Sequence, residues 1–427
     1  MAHAEDRDGQ RAEDALSEYR GRGPLAGVRV LELGSFVAAP AATRTLADFG
    51  ADVIKVEQPG GGDELRQWGE MIAMREGEIS AWWVTLARNK RLVSLNLRDP
   101  QGQELALRLI AESQIVVENF RPGRLDAWNL SYERMREVNP AVVLVRISGY
   151  GQTGPNHDRA GYGNVSESMG GLRYVTGFPD RPPVRIGVSL GDMLAAQQAA
   201  LGAVMALRVA DQTGHGQVVD VAITESVFAM TESMVTEYTH NGVVRERAGN
   251  KLLRAAPSNV YQTSDNRWIA IGGNGENVFR RFARAMGQPN LPNDERFKDN
   301  RARVTNLAEL DRIIEQWTTS RPLAELQAAL DEAGVPAGPV MSIADIVNDE
   351  QFQARGMIAH ISDERFPDGE VVMPGIVPIL TETPGVVRFA GGRQAQDNAE
   401  ILHGLLGVSN EELRALAREG VIAPSAE

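Results

Sequence analysis

Along the first half of the chain, short apolar runs of strand length alternate with longer runs of helical period. GVRVLELG (27–34) reads as a strand closing on glycine. PAATRTLADFG (40–50) follows as a helix, with Pro40 at its first position and Gly50 just past its end. ADVIKVE (51–57) is a second strand and completes a strand–helix–strand unit. The alternation continues through a helix in DPQGQELALRLIAES, a strand in QIVVENF, a helix in SYERMREVNP and a strand in AVVLVRISGYG. This order predicts a parallel sheet covered on both faces, an α/β fold. The apolar segment after Asp192 is then a buried helix. GQVVDVAIT and ESVFAMTESMVTEYTHNG add a strand and a long helix.

The pattern changes near residue 245. NVYQTSDNRWIAIGG reads as a hairpin around Ser264, Asp265 and Asn266. Short helices follow in GENVFRRFARAMG, LAELDRIIEQWTTS and LAELQAALDEAG. MIAHISDERFPDGEVVMPG is a second hairpin, and the C-terminal NAEILHGLLGVSNEELRALAREGVI is two short helices. No internal repeat is present. The expected division is a flexible extension (1–23), the N-terminal part of a large domain (24–222), a linker helix (223–250), a small α+β domain (251–345), and a return segment completing the large domain (346–427).

Composition narrows the chemistry. The 427 residues are 43% hydrophobic and 24% charged, with net charge −13, which argues against nucleic acid and anionic membranes as partners. With no cysteine, thiolate nucleophiles and Cys-based metal sites are excluded. The six histidines are scattered, with no pair at i, i+4. Residues 1–23 lack an apolar core and do not read as a signal peptide. The apolar run after Asp192 is too short, and too rich in Gln, to span a bilayer. A cytoplasmic protein is expected.

No G-x-G-x-x-G follows the first strand, no P-loop is present, and no G-x-S-x-G occurs. GGNGENVF has glycine density but follows a hairpin strand. Two features remain. RNKRLVSLNLRDP (88–100) and ENFRPGR (118–124) concentrate cations in an acidic protein, as a solvated face or as a phosphate clamp. Asp192 opens an uncharged run, Met193–Leu207. It is a helix cap, favoured there by the dipole, or an anionic nucleophile at the end of a crossover, or both.

Taken in order, GVRVLELGSFVAAP, LADFGADVIKVEQPGGGD, NKRLVSLNLRDPQG, VENFRPG, SGYGQTGP, RAGYGNVSESMGG, GVSLGD and GHGQVVDVAITES resemble the family III CoA-transferases, the formyl-CoA and carnitine CoA-transferase group. The resemblance runs from about residue 23 to the C-terminus. It implies a Rossmann-like large domain with a smaller domain in the middle, in an interlocked dimer. The wording is closest to members that move CoA between succinate and another dicarboxylate, such as malate or benzylsuccinate. Acyl-CoA and a carboxylic acid are then the substrates, CoA passes through as substrate and product, and no other cofactor or metal is implied. The chain pairs with itself or with a sister subunit.

The resemblance makes Asp192 the catalytic aspartate. It forms first an acyl anhydride and then a CoA thioester. Leu95, Arg98, Asn119, Phe120 and Arg121 match family CoA contacts. Gly272, Gly273 and Gly275 match the mobile glycine loop that serves the oxyanion. Val37, Ala38 and Tyr162 fall near the active site. Departures are equally specific. The formyl-CoA branch carries Gln where Val37 stands, Glu where Gly163 stands, and Arg where Gln58 and Ala127 stand. Any donor at Val37 is therefore backbone N–H. The family fold also hosts 2-methylacyl-CoA racemases, which need a His in RAGHD. Here the segment is RAGYG, with Tyr162 and Gly163, and Tyr is a poor base at neutral pH. A second rival, a non-catalytic subunit of a heteromeric transferase, lacks the aspartate. A buried second carboxylate on the substrate needs a cation. The candidates are Arg44, Arg185 and Arg254.

Overall fold

The computed structural model describes residues 22–424, so the extension expected over 1–23 falls almost entirely outside the described residues. Contacts divide the chain into two units. The larger contains the described residues up to Leu172, then Ile186–Ser233 and the chain from Gln353 on; the smaller contains Arg173–Arg185 and Met234–Phe352.

The larger unit is built on six parallel strands: β1 (Arg29–Glu32), β2 (Asp52–Glu57), β3 (Lys90–Ser94), β4 (Ile115–Glu118), β5 (Val143–Ser148) and β6 (Val218–Ala222). Their order is β3-β2-β1-β4-β5-β6. The chain thus moves outward from β1 in one direction, returns, and continues from β4 in the other. In open α/β sheets the crevice beyond the strand ends at such a reversal is where ligands bind. Alternate residues of each strand enter different cores. Val30, Val53, Leu92 and Val117 join one, and Leu31, Ile54, Val93 and Val116 the other. Each fully buried Val, Leu or Ile contributes about 1.5–3 kcal/mol, which is why these strands read as continuous apolar runs.

Helix α1 (Ala38–Asp48) starts two residues earlier than expected and places Pro40 third, where a helix has no use for its N–H. Helix α2 (Pro100–Ala111) is capped by Asp99, whose side chain accepts from Gln101 N–H. Two short helices follow, α3 (Arg124–Ala127) and α4 (Tyr132–Val138), the latter capped by Ser131. Helix α5 (Gly163–Met169) precedes α6 (Leu190–Thr213). At 24 residues α6 outruns its uncharged stretch and is long and apolar enough to cross a membrane by length and composition alone. Its alanine face, including Ala195, Ala199 and Ala203, is nevertheless buried, and it packs along α1, β5 and β6.

The long helix expected over 225–242 is two helices, α7 (Ile223–Phe228) and α8 (Met234–Asn241). Thr231 Oγ1 donates to Phe228 O at 2.8 Å, and Glu232 takes φ 51°, so the last turn of α7 is closed off locally. The C-terminal segment returns to the larger unit beside β3. Asn398 Oδ1 accepts from Ser94 N–H at 2.8 Å, and Ala423 N–H donates to Ser94 Oγ at 3.0 Å.

The smaller unit holds a three-stranded antiparallel sheet: β7 (Ser258–Gln262), β8 (Trp268–Gly272) and β9 (Ala337–Pro339), in order β9-β8-β7. The first pair is the expected hairpin, with Gln262 opposite Trp268. Helices α9 (Glu276–Ala285), α10 (Asn300–Thr305), α11 (Leu307–Thr318) and α12 (Leu323–Glu332) belong to this unit, as does α8. Its core is built from Ile269, Ile271, Phe279, Phe282, Leu310, Ile314 and Leu326.

Candidate active site

A cleft of about 640 Å³ opens beyond the C-terminal ends of β1, β2, β3 and β4, at the reversal of strand order. It gathers Leu95, Arg98, Phe120, Arg121 and Tyr162 from the residues singled out in the sequence, and adds Gln58, Arg124 and Trp128. Phe120 meets Trp128 edge to face, centroids 5.0 Å apart. Arg98, Arg121 and Arg124 are exposed and form no ion pair among the described residues. Three guanidinium groups around an aromatic pair suit a phosphate-bearing ligand with a planar base. Of the cations in 88–100, Arg98 alone lines the cleft. Arg88 pairs with Asp48, Lys90 with Glu32 and Arg91 with Asp52, each at 2.7 Å or less. The segment also contains β3, which its charge concealed.

Asn119 does not line the cleft. Its side chain accepts from Ser35 N–H at 2.9 Å and donates to Ser35 O at 2.8 Å. The turn from β1 to α1 is held at two further points. Lys55 Nζ donates to Gly34 O at 2.9 Å, and Phe36 N–H donates to Asp63 Oδ1 at 3.2 Å. Phe36 sits at φ 62°, a left-handed conformation that a bulky residue keeps only when its surroundings fix it. Val37, Ala38 and Ala39 follow, all at most 4% exposed. Their N–H groups donate to no other described group, and no side chain caps α1. Buried N–H groups without partners are uncommon. Here they form a row of donors at the start of an 11-residue helix.

Beneath the turn is a buried ionic cluster. Lys55 Nζ lies 2.7 Å from both Glu32 Oε1 and Asp63 Oδ2, and Lys90 Nζ lies 2.7 Å from Glu32 Oε2. Burial opposes the charge on Glu32, but the two ammonium groups outweigh it and hold the carboxyl below its usual range. Burial and the neighbouring Lys55 push Lys90 down to about 8, against the pull of Glu32.

Asp192 lies in the first turn of α6. Its carboxylate is pressed against the backbone of Gly163, the first residue of α5. A β-carbon there would come within 2.2 Å of Asp192 Oδ2. A side chain at 163 would therefore require the Asp192 carboxylate to shift from the place it takes here. Tyr162, just before Gly163, lines the cleft, which links the cleft to Asp192 through two consecutive residues. The N–H of Gly191, in the first turn of α6, is taken by the buried Glu167, whose Oε1 accepts at 3.2 Å. SESMGG contains Glu167, and nothing local in the sequence marks it out.

The candidate cations have different local surroundings. Arg44 is two turns into α1, 3.8 Å from Asp48, whose carboxylate is held by Arg88. Arg185 is exposed, and Arg254 lies 3.6 Å from Glu237. In the smaller unit, Gly272 and Gly273 already donate their N–H groups to Pro336 O and Pro257 O, both at 2.9 Å. The buried Arg303, another residue without a local sequence signal, donates to Asn274 O at 3.0 Å and to Glu276 Oε1 at 2.8 Å. Only Gly275 of the three glycines keeps its N–H uncommitted.

Comparison with known proteins places this geometry in context. The model of CoA-transferase family III matches residues 25–397. The succinyl-CoA–D-citramalate CoA-transferase of Chloroflexus aurantiacus is 48% identical over 408 residues, covering 95% of this chain and all of the relative. The alpha subunit of succinyl-CoA–L-malate CoA-transferase from the same organism is 39% identical over 400 residues, covering 93% and 92%. A CAIB/BAIF family protein from Brucella suis has the same fold, with a TM-score of 0.81, 34% identity, and coverage of 90% of this chain and 100% of that one.

Proposed function

The chain belongs to the family III CoA-transferases, and from that premise we propose that it moves CoA from succinyl-CoA to a C4 or substituted C4 dicarboxylate carrying a 2-hydroxyl group, such as malate or citramalate, through Asp192. The observation that supports Asp192 is its carboxylate against Gly163, one residue beyond the cleft-lining Tyr162. The relatives named for citramalate and malate support the acceptor class; benzylsuccinate, with no 2-hydroxyl, falls outside it.

In this reading the cleft holds CoA, with Arg98, Arg121 and Arg124 facing its phosphates. The Asp192 carboxylate attacks the succinyl thioester carbon, forming a mixed anhydride and releasing CoA thiolate. The thiolate attacks the aspartyl carbonyl, and succinate leaves. The incoming carboxylate then attacks the aspartyl-CoA thioester, and the thiolate returns to the new acyl group. Negative charge develops on a carbonyl oxygen at each step, and the N–H groups of Val37–Ala39 are suited to receive it. One thioester is exchanged for another, so the sequence needs no other cofactor. A racemase is disfavoured because Tyr162 and Gly163 supply no second base near neutral pH. Of the three glycines that the resemblance assigns to the oxyanion, Gly275 alone keeps an N–H for that role. The exposed Leu201 (52%) and Met205 (59%) of α6 support burial by a second subunit, the same chain or a sister. We place the enzyme in the cytoplasm.

The test is succinyl-CoA with a panel of carboxylates, read by the mass of the CoA products, for wild type and Asp192→Ala. Malate and citramalate are expected as acceptors, and the variant is expected to be inactive with its fold retained. Hydroxylamine added during turnover should leave a hydroxamate on the peptide carrying Asp192. Transfer by the variant at more than about a hundredth of the wild-type rate would sink the mechanism, since loss of a nucleophile costs several orders of magnitude. Preference for butyryl-CoA over succinyl-CoA would sink the substrate class.

A further inference from the structure

We propose that Asn119 is a positioning residue for the transfer step, acting through the β1–α1 turn, and that its side chain does not hold CoA. The inference rests on the reading that the start of α1 faces the reacting carbonyl. Both ends of the Asn119 amide are committed to one residue, donating to Ser35 O and accepting from Ser35 N–H across 84 positions of sequence. That pair spans β1 and β4, where the strand order reverses and the sheet offers no continuous loop to carry the turn. A carboxamide is the one side chain of this size that donates and accepts at once.

The turn has no slack. Gly34 O, Ser35 N–H and O, and Phe36 N–H are engaged by Lys55, Asn119 and Asp63, each from a different segment. A β-carbon at Gly34 would stand 2.4 Å from Ala39 Cβ and 2.6 Å from Asn119 Oδ1, so the turn, α1 and Asn119 are in close contact. With Phe36 at φ 62°, the local conformation is not one the chain holds unaided. Releasing Ser35 lets the turn relax and moves the N–H groups of Val37–Ala39, which follow directly. Phe120 and Arg121, by contrast, line the cleft with their own side chains.

A CoA contact and a positioning residue are separated by the division between KM and kcat. Asn119→Ala removes both bonds to Ser35. Asn119→Asp keeps the shape and the acceptor but sets a carboxylate oxygen against Ser35 O. Each is expected to lower kcat by about 10- to 100-fold, the usual effect of an ångström-scale displacement of aligned groups, while KM for succinyl-CoA stays within about threefold of wild type. Asp192→Ala is assayed alongside. If it retains transfer, the underlying mechanism fails, and this inference with it. If it is inactive and a folded Asn119 variant shows any pattern other than a tenfold or greater fall in kcat at near-constant KM, the inference alone is overturned. A rise in KM with kcat unchanged would restore Asn119 as a CoA contact. Should Asn119→Ala unfold, the equally sized Asn119→Asp decides.

Discussion

The buried basic residues on and just before β2 and β3 differ from those around the cleft beyond the strand ends in burial, pairing and charge balance. Lys55, Arg88 and Lys90 are at most 2% exposed, and each has a carboxylate within 2.7 Å. Arg98, Arg121 and Arg124 are exposed around the cleft and have no carboxylate at ion-pair distance among the described residues. Eight positions separate Lys90 from Arg98 along the chain. A buried side chain on the sheet has no water around it, and a charge there is tolerated only when neutralised. A side chain past the strand's end points into the crevice, where an unbalanced charge attracts an anion instead. Position relative to the strand end, rather than residue type, decides which role a cation takes.

The most severe way to break this contrast is to remove an inner cation. Lys55→Met leaves Asp63 without its ion pair, deprives Glu32 of one of two, and frees Gly34 O. Breaking a buried pair from one side costs about 3–5 kcal/mol. Urea unfolding should show a loss of that order, together with lowered kcat because the turn before α1 is released. A loss below about 1 kcal/mol would mean that the cluster is not neutralised as described.

Removing an outer cation should give the opposite profile. Arg121→Ala is expected to raise KM for succinyl-CoA about tenfold and leave kcat within about twofold, the loss of one charge-assisted contact to phosphate. Stability should change by no more than about 0.5 kcal/mol, as for other exposed positions. Raising the salt concentration should weaken CoA binding in wild type more than in the variant, because screening acts on the exposed charge. A variant with unchanged KM would remove Arg121 from the CoA site.

The same contrast marks what the sequence made legible. β1, β2, β4 and β5 were readable because strands buried on both faces are near-continuous apolar runs, β6 because VVDVA is rich in valine although only Val221 and Ala222 are buried, and Asp99 and Ser131 cap α2 and α4. β3 was missed because RNKRLVS looks like a charged surface when its partners Asp48, Glu32 and Asp52 stand some 40 to 60 positions away. Phe120 and Arg121 fall in the cleft because the resemblance aligned backbone positions that precede a loop. It could not distinguish them from Asn119 next door, whose partner is fixed by the strand order alone. Glu167 beside Gly191 and Arg303 beside Asn274 are likewise products of packing between distant segments. The break between α7 and α8 rests on the left-handed Glu232, a position where no glycine gave warning.

Glu118 stands between the two classes and sharpens the comparison with the smallest effect. It ends β4 as a buried carboxyl; Oε1 accepts from Arg146 at 2.8 Å and Oε2 from the N–H of Phe120 at 2.6 Å. Burial pushes it from 4.5 up to about 7, with Arg146 pulling the other way and Asp126 adding to the rise. The folded protein therefore binds this proton more tightly than the unfolded chain does. Its contribution to stability is fully present below about pH 4.5 and is lost as pH rises through about 7. Glu118→Gln has no such proton, so its melting temperature should gain on wild type between about pH 5 and 7 and level off above that. Ionisation also strengthens the acceptor that fixes Phe120 in the cleft. Wild-type KM for succinyl-CoA should fall by about two- to threefold relative to the variant over the same pH range, the size expected when one neutral hydrogen bond becomes charge-assisted. Titration of the CoA phosphates is common to both proteins and cancels in the ratio. Parallel melting curves and a constant KM ratio across that range would show that Glu118 is ionised throughout, an inner carboxylate like Glu32 rather than a group shared with the cleft.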